Sequence, residues 1–139
     1  MMDRPARPVP TPDAVTAPFW EGCLRGELRV QACGACGARW LPASVVCPRC
    51  WSDAIAWIRA AGAGTVVTFA VYHRAYHEAF RPLLPYVVAV VELAEGPRLV
   101  SNIVGVPPER VQIGLPVRVE FEPIEGTALP VFRPVDEGG

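Results

Sequence analysis

The sequence predicts a mainly β protein: a short N-terminal helix and a metal-stapled ribbon, followed by a five-stranded barrel of OB type. Two observations carry that prediction. Cys33-Gly34-Ala35-Cys36 is followed, ten residues later, by Cys47-Pro48-Arg49-Cys50, and paired C-x-x-C units so spaced bring four thiolates to one tetrahedral ion. From Thr65 onward, runs rich in Val, Ile, Thr, Phe and Tyr alternate with Gly and Pro turns, the pattern of a small antiparallel barrel.

The elements follow in order. Met1 to Thr16 carries Pro5, Pro8, Pro10 and Pro12, which exclude a regular helix or a central strand, so residues 1–17 read as an extended arm. Phe19, Trp20, Cys23 and Leu24 recur at helical spacing between Pro18, suited to a first turn, and Gly26, suited to the stop. Cys23 on that apolar side reads as a small buried hydrophobe. Residues 18–61 then form helix plus ribbon, with strands at Leu28–Ala32, Arg39–Leu41 and Ala54–Ala60. Trp40, Trp51 and Trp57 are expected to cover a module with little core of its own.

Gly62 and Gly64 mark a break, and residues 62–135 read as the barrel. Its strands are expected at Thr65–Tyr72, Tyr86–Leu93, Arg98–Val104, Val117–Glu122 and Leu129–Arg133, with a hairpin turn at Ala94–Pro97 and a single turn at Pro107–Arg110. One connection, after the third strand, is longer than a hairpin. That favours an OB barrel, with a small sandwich as the alternative. The stretch from His73 to Pro85 is long for a hairpin connection, and such loops are commonly functional.

Zinc is the expected ion at the four cysteines, since a d¹⁰ cation accepts four sulfurs without preferring another geometry; iron is the competitor. Two disulfides or a redox dithiol fit the double pair less well, because a redox motif needs one pair only. With four protein ligands and no open position, such a site is structural.

Composition narrows the function classes. All thirteen basic residues are arginine, against fourteen acidic ones, so no Schiff-base lysine is available. A formal net charge of −1 and a pI near 6.1 lack the basic footprint of a nucleic-acid binder. Phe69, Tyr72 and Tyr86 on barrel strands keep a single-strand nucleic-acid-binding module as the alternative reading. The apolar run Val87–Val91 is too short to span a bilayer. No N-terminal signal pattern is visible, and a thiolate site suits a reducing compartment, so a cytoplasmic location is expected. A mean hydropathy of +0.25 is high for a chain this small and points to surface covered by another chain.

No self-sufficient catalytic set is visible: there is no G-x-S-x-G, no H-E-x-x-H and no phosphate-binding glycine loop. His73 and His77 with Glu78 lack a third ligand at sensible spacing. A free-standing enzyme would have to rely on His77 or Tyr76. Arg74, Tyr76, His77, Phe80 and Arg81 in the long loop, with Phe19 and Trp20, are residue types enriched in interface cores. They are the candidate contacts to a partner or substrate.

Residues Pro18 to Phe132 resemble the DUF35 family, in which a rubredoxin-like zinc ribbon precedes an OB fold. The resemblance rests on Phe19-Trp20-Glu21, Gly26-Glu27-Leu28, the ribbon from Cys33 to Cys50, Gly64-Thr65-Val66, Pro85-Tyr86-Val87-Val88, Glu92-Leu93, Gly105, Gly114 with Pro116-Val117, and Pro130-Val131-Phe132. It implies a small accessory partner of a thiolase-superfamily enzyme: a thiolase, or a lipid-transfer-protein-like aldolase of steroid side-chain degradation. The partner then carries the catalytic residues. This chain braces it, in a heterotetramer built on the partner's dimer, with acyl-CoA at the interface. Arg74 and Arg81 suit either CoA phosphates or a rim ion pair. In the steroid case a similar module is fused to a hydratase domain.

Overall fold

The computed structural model describes residues 13–73, 85–124 and 126–135. Asp13 folds the chain ahead of the helix: its Oδ1 accepts the N–H groups of Val15 (2.9 Å) and Thr16 (2.8 Å), while Thr16 Oγ1 accepts that of Asp13 (3.0 Å). The arm expected to be extended over 1–17 is therefore a turn from Asp13 on, and residues 1–12 lie outside the described set. Helix α1 (Ala17–Leu24) starts one residue earlier than expected, with Pro18 in its first turn, where a missing N–H costs nothing. It stops at Gly26, whose φ of +75° is open to glycine without strain.

The ribbon is a three-stranded antiparallel sheet in the order β2-β1-β3, from β1 (Arg29–Cys33), β2 (Arg39–Trp40) and β3 (Ile55–Arg59). Strand β1 runs one residue beyond the expected end and delivers the first cysteine. The cover assigned to three tryptophans holds for two of them. Trp40 is buried against Cys33 and Cys47, and Trp57 packs on the main core, but Trp51 is 77% exposed. Its φ of 66° at the end of the second knuckle turns the side chain outward.

Strands β4 (Ala63–Tyr72), β5 (Tyr86–Leu93), β6 (Arg98–Ile103), β7 (Pro116–Ile124) and β8 (Thr127–Pro134) close into a barrel in the order β4-β5-β6-β8-β7, with β7 returning to β4. Closure excludes the sandwich. Strand β4 serves two neighbours: it pairs with β5 along its length and with β7 through Ala63–Thr65, with a register shift between Val66 and Thr68. A bulge there bends the strand enough to reach both. The long connection between β6 and β7 holds the single helical turn, Pro108–Arg110.

Closure is weakest between β6 and β8, whose parallel pairing consists of Ile103 with Phe132 alone. The cause is chemical. The β7–β8 register pairs Ile124 with Thr127 across the hairpin and Phe121 with Pro130, so by antiparallel alternation the backbone groups of residue 130 face β6. Proline offers no N–H there, and the ladder cannot continue. Instead Ser101 Oγ donates to the Pro130 carbonyl at 2.7 Å.

Ribbon and barrel share one core. Phe19, Cys23, Leu28 and Val30 join Val66, Val91, Val117 and Phe132 in a single buried cluster. The junction is fixed by backbone bonds from Ala60 N–H to Leu28 (2.7 Å) and from Val119 N–H to Gly62 (2.8 Å). Glu95 Oε2 accepts the Ala61 N–H at 2.9 Å. Among the described residues no helix is long and apolar enough to cross a membrane.

Phe132 is fully buried at the centre of that core, so Phe132→Ala is expected to cost about 3–5 kcal/mol in denaturant unfolding. A loss below about 1 kcal/mol would show that the site collapses freely and that the shared core is not tightly packed.

Candidate metal centre and adjoining groove

The two knuckles are near copies of each other. In the first, the Ala35 and Cys36 N–H groups point at Cys33 Sγ (3.3 and 3.4 Å), Gly37 N–H bonds the Cys33 carbonyl (3.0 Å), and Cys33 N–H bonds Ala38 (2.8 Å). In the second, Arg49 and Cys50 N–H point at Cys47 Sγ (3.3 and 3.4 Å), Trp51 N–H bonds the Cys47 carbonyl (2.9 Å), and Cys47 N–H bonds Ser52 (2.8 Å). Gly37 and Trp51 are thus equivalent, and both have positive φ, +78° and 66°. Glycine accepts that conformation freely, whereas tryptophan pays for it in strain.

The four Sγ atoms lie within 4.8 Å of one another, with Cys33 to Cys50 and Cys36 to Cys47 each at 3.6 Å. Zinc–sulfur bonds of about 2.3 Å in a tetrahedron require sulfurs about 3.8 Å apart. The arrangement fits. Cys33 and Cys47 are buried, while Cys36 and Cys50 are exposed, so the inner pair anchors the site to the ribbon and the outer pair closes it.

Electrostatics favour thiolates at the inner pair. The Cys36 N–H, with that of Ala35 behind it, holds the Cys33 thiol down to about 6 against the burial that raises it. Burial likewise raises Cys47, but the N–H groups of Cys50 and Arg49 carry it below the ordinary thiol value. Ser52 N–H lowers Cys50, yet burial and the crowding of Cys33, Cys36 and Cys47 push it up to about 12. Four negative sulfurs at this spacing need a dication to coexist. Zinc bound by Cys33, Cys36, Cys47 and Cys50 supplies a cross-link between knuckles and leaves no position open for substrate. Cys23 stands apart, buried in the main core with its thiol pushed up to about 12 by desolvation. It is neither a ligand nor a nucleophile.

A residue that periodicity did not single out holds the segment between the knuckles. The Gln31 side chain, 3% exposed, accepts the Ser44 N–H at 2.7 Å and donates to the Ser44 carbonyl at 3.1 Å. Its amide thus imitates a strand partner for the loop that leads to Cys47. A glutamine inside an alternating strand was the available signal.

That loop walls an apolar groove. A cavity of about 470 Å³ lies between Phe19 and Trp20 of α1, Leu41 and Pro42 of the loop, and the open seam at Val100 and Pro130. Phe19 is itself buried, and Trp20 is half-buried. A second cavity, also about 470 Å³, lies beside Tyr86, Val104 and Glu122 and shares Asn102, Leu129 and Val131 with the first. The remaining candidate contacts, Arg74, Tyr76, His77, Phe80 and Arg81, lie outside the described residues, as does Glu78. His73 is exposed. Tyr72 and Tyr86 stack on each other, with centroids 5.2 Å apart and planes 8° from parallel.

A four-cysteine ribbon sharing its core with a closed OB barrel defines a zinc-ribbon/OB-fold protein. Residues 20–56 match the rubredoxin-like zinc ribbon domain of ChsH2, and residues 57–122 match the ChsH2 C-terminal OB-fold domain. The chain belongs to the DUF35 family. It is 41% identical over 129 residues to the probable enoyl-CoA hydratase alpha subunit of Thermomonospora curvata, covering 92% of this chain and 40% of that one. It is 33% identical over 136 residues to the 3-oxo-4,17-pregnadiene-20-carboxyl-CoA hydratase alpha subunit of Mycobacterium tuberculosis, covering 96% and 42%. The chain therefore spans about two fifths of the length of these subunits. A DUF35 domain-containing scaffold protein of Methanothermobacter thermautotrophicus is 33% identical over 101 residues, 72% of this chain and 75% of that one. Among solved structures, the Ltp2-ChsH2(DUF35) aldolase superposes with a TM-score of 0.82 at 39% identity, over 91% of this chain and 98% of that one.

Gln31→Ala leaves the Ser44 N–H and carbonyl without partners, at a cost of about 1–3 kcal/mol. The expected result is a lower melting temperature and faster loss of zinc to a competing chelator. Zinc transfer and melting at wild-type values would remove Gln31 from the support of the site.

Proposed function

We propose that this chain is a non-catalytic, zinc-binding subunit that binds and braces a thiolase-superfamily enzyme making or breaking C–C bonds in acyl-CoA substrates. The observation that carries the proposal is the likeness, over nearly the whole of both chains, to the Ltp2-ChsH2(DUF35) aldolase. The scaffold name of the archaeal relative supports a bracing role. The steroid-type acyl-CoA in the mycobacterial relative's name supports side-chain degradation as the setting.

The chemistry of the site agrees. Four cysteines used as metal ligands and one thiol raised to about 12 leave the described residues without an activated nucleophile or an assembled acid–base pair. A thiolytic step needs a nucleophile, and a retro-aldol step needs a base to take the hydroxyl proton and an acid to protonate the enolate; the partner supplies them. In this reading the ribbon over 18–61 and the barrel over 62–135 act as one rigid brace. Phe19, Trp20, Arg74, Tyr76, His77, Phe80 and Arg81 meet the partner or its acyl-CoA, and the assembly is a cytoplasmic heterotetramer.

Co-expression with an Ltp2-type aldolase subunit, followed by size exclusion and metal analysis, tests the reading. The expected product is a stable mixed complex with one zinc per copy of this chain, and carbon–carbon cleavage that disappears when this chain is withheld. Full activity of the partner alone would sink the proposal.

A further inference from the structure

We propose that Trp51 and Arg49, at the tip of the second knuckle, anchor this chain to the partner subunit, the indole entering an apolar pocket and the guanidinium meeting a carboxylate at its rim. The proposal rests on the accessory-subunit reading above and specifies the surface it uses.

The first observation is a strained conformation with little internal return. Trp51 has a φ of 66° and yet leaves 77% of its surface exposed. The equivalent position in the first knuckle is Gly37, at +78°, where an added side chain would meet nothing within 4 Å. The knuckle therefore requires a left-handed residue at this place and has no internal use for its side chain. Glycine meets that requirement without strain, whereas a bulky residue does so rarely. Among the described residues no aromatic ring contacts the Trp51 indole. A large side chain held in a sparsely populated conformation, with so little of it covered by its own fold, points to a contact made outside the chain.

The second observation says what that contact is like. Arg49, two residues earlier in the same knuckle, is exposed and forms no ion pair among the described residues. Both backbones are braced: Arg49 N–H points at Cys47 Sγ at 3.3 Å, and Trp51 N–H bonds the Cys47 carbonyl at 2.9 Å. The two side chains thus project from an ordered tip, and little backbone freedom is left to lose on binding. Val45, just ahead of the knuckle, is 68% exposed and adds apolar surface. Tryptophan and arginine are the types enriched at the energetic centre of protein interfaces. The ring requires an apolar pocket, and the planar guanidinium fork matches a carboxylate. A second copy of this chain fits poorly, because an isologous contact centred on Trp51 would set Arg49 against Arg49, and like charges across an interface repel.

The experiment uses the co-expressed complex with the Ltp2-type subunit and reads affinity, the melting temperature of the zinc-loaded free chain, and indole emission. Trp51→Gly relieves the left-handed strain, so the free chain is expected to melt at or above the wild-type temperature. The same variant is expected to weaken the complex by about tenfold or more, as is Arg49→Glu, with a smaller loss for Arg49→Lys, which keeps the charge without the fork. The emission that distinguishes wild type from Trp51→Phe belongs to Trp51, and it is expected to move to shorter wavelength when the complex forms. A complex as tight with Trp51→Gly or with Arg49→Glu as with the natural residues overturns the anchor and leaves the accessory-subunit reading standing. So does a Trp51 emission that stays in place when the complex forms. An emission shift that grows with the concentration of this chain alone assigns the knuckle to a second copy and overturns the proposal. Failure of the wild-type chain to form any mixed complex removes both readings.

Discussion

Four sulfurs within 4.8 Å of one another are the constraint on which the rest depends. A ribbon whose own buried cluster is Cys33, Trp40 and Cys47 has too little apolar surface to fold on that account alone. The metal site supplies the closure, and two N–H groups aimed at each inner sulfur stabilise it as a thiolate. Because β1 ends in Cys33 and also packs the Val30 side chain, with Leu28 just ahead of it, into the shared core, the same strand orients the metal site and the barrel together. The shared core makes ribbon and barrel one body rather than two tethered ones.

The groove is a consequence of the same arrangement. One wall is the loop between knuckles, placed by Cys47 at its end and by the Gln31 amide at its middle. The other is α1, pressed onto the barrel by Phe19 and Cys23. The floor is the seam that Pro130 prevents from zipping. Each contribution is small, and together they leave an apolar trough on the outside of the closed barrel.

Much of this was legible in the residues. The C-x-x-C pairs named the four ligands, Gly26 marked the helix stop, and β-branched runs located every barrel strand within a few residues. Trp51 was misread because composition shows that a tryptophan is present but not that its backbone is left-handed. The turn at Asp13 was missed for a similar reason: a local side-chain hydrogen-bond pattern overrides the extended preference of the prolines before it. Gln31 carried a faint signal, a polar residue in a strand facing inward, but its partner at Ser44 is thirteen residues away.

By itself the sequence determined the fold class and the cluster of four cysteines, because cysteine spacing, turn chemistry and side-chain period are local properties; the family entered as a resemblance that the comparisons bear out. Only the tertiary structure decided that ribbon and barrel share one core, that Gln31 holds the loop between the knuckles, and that the barrel closes between β6 and β8 through a single residue pair. Those features arise from contacts between residues distant in the chain, and above all from which edge of β8 the nitrogen of Pro130 faces. Strand register sets that edge, and register is settled only when the whole barrel closes.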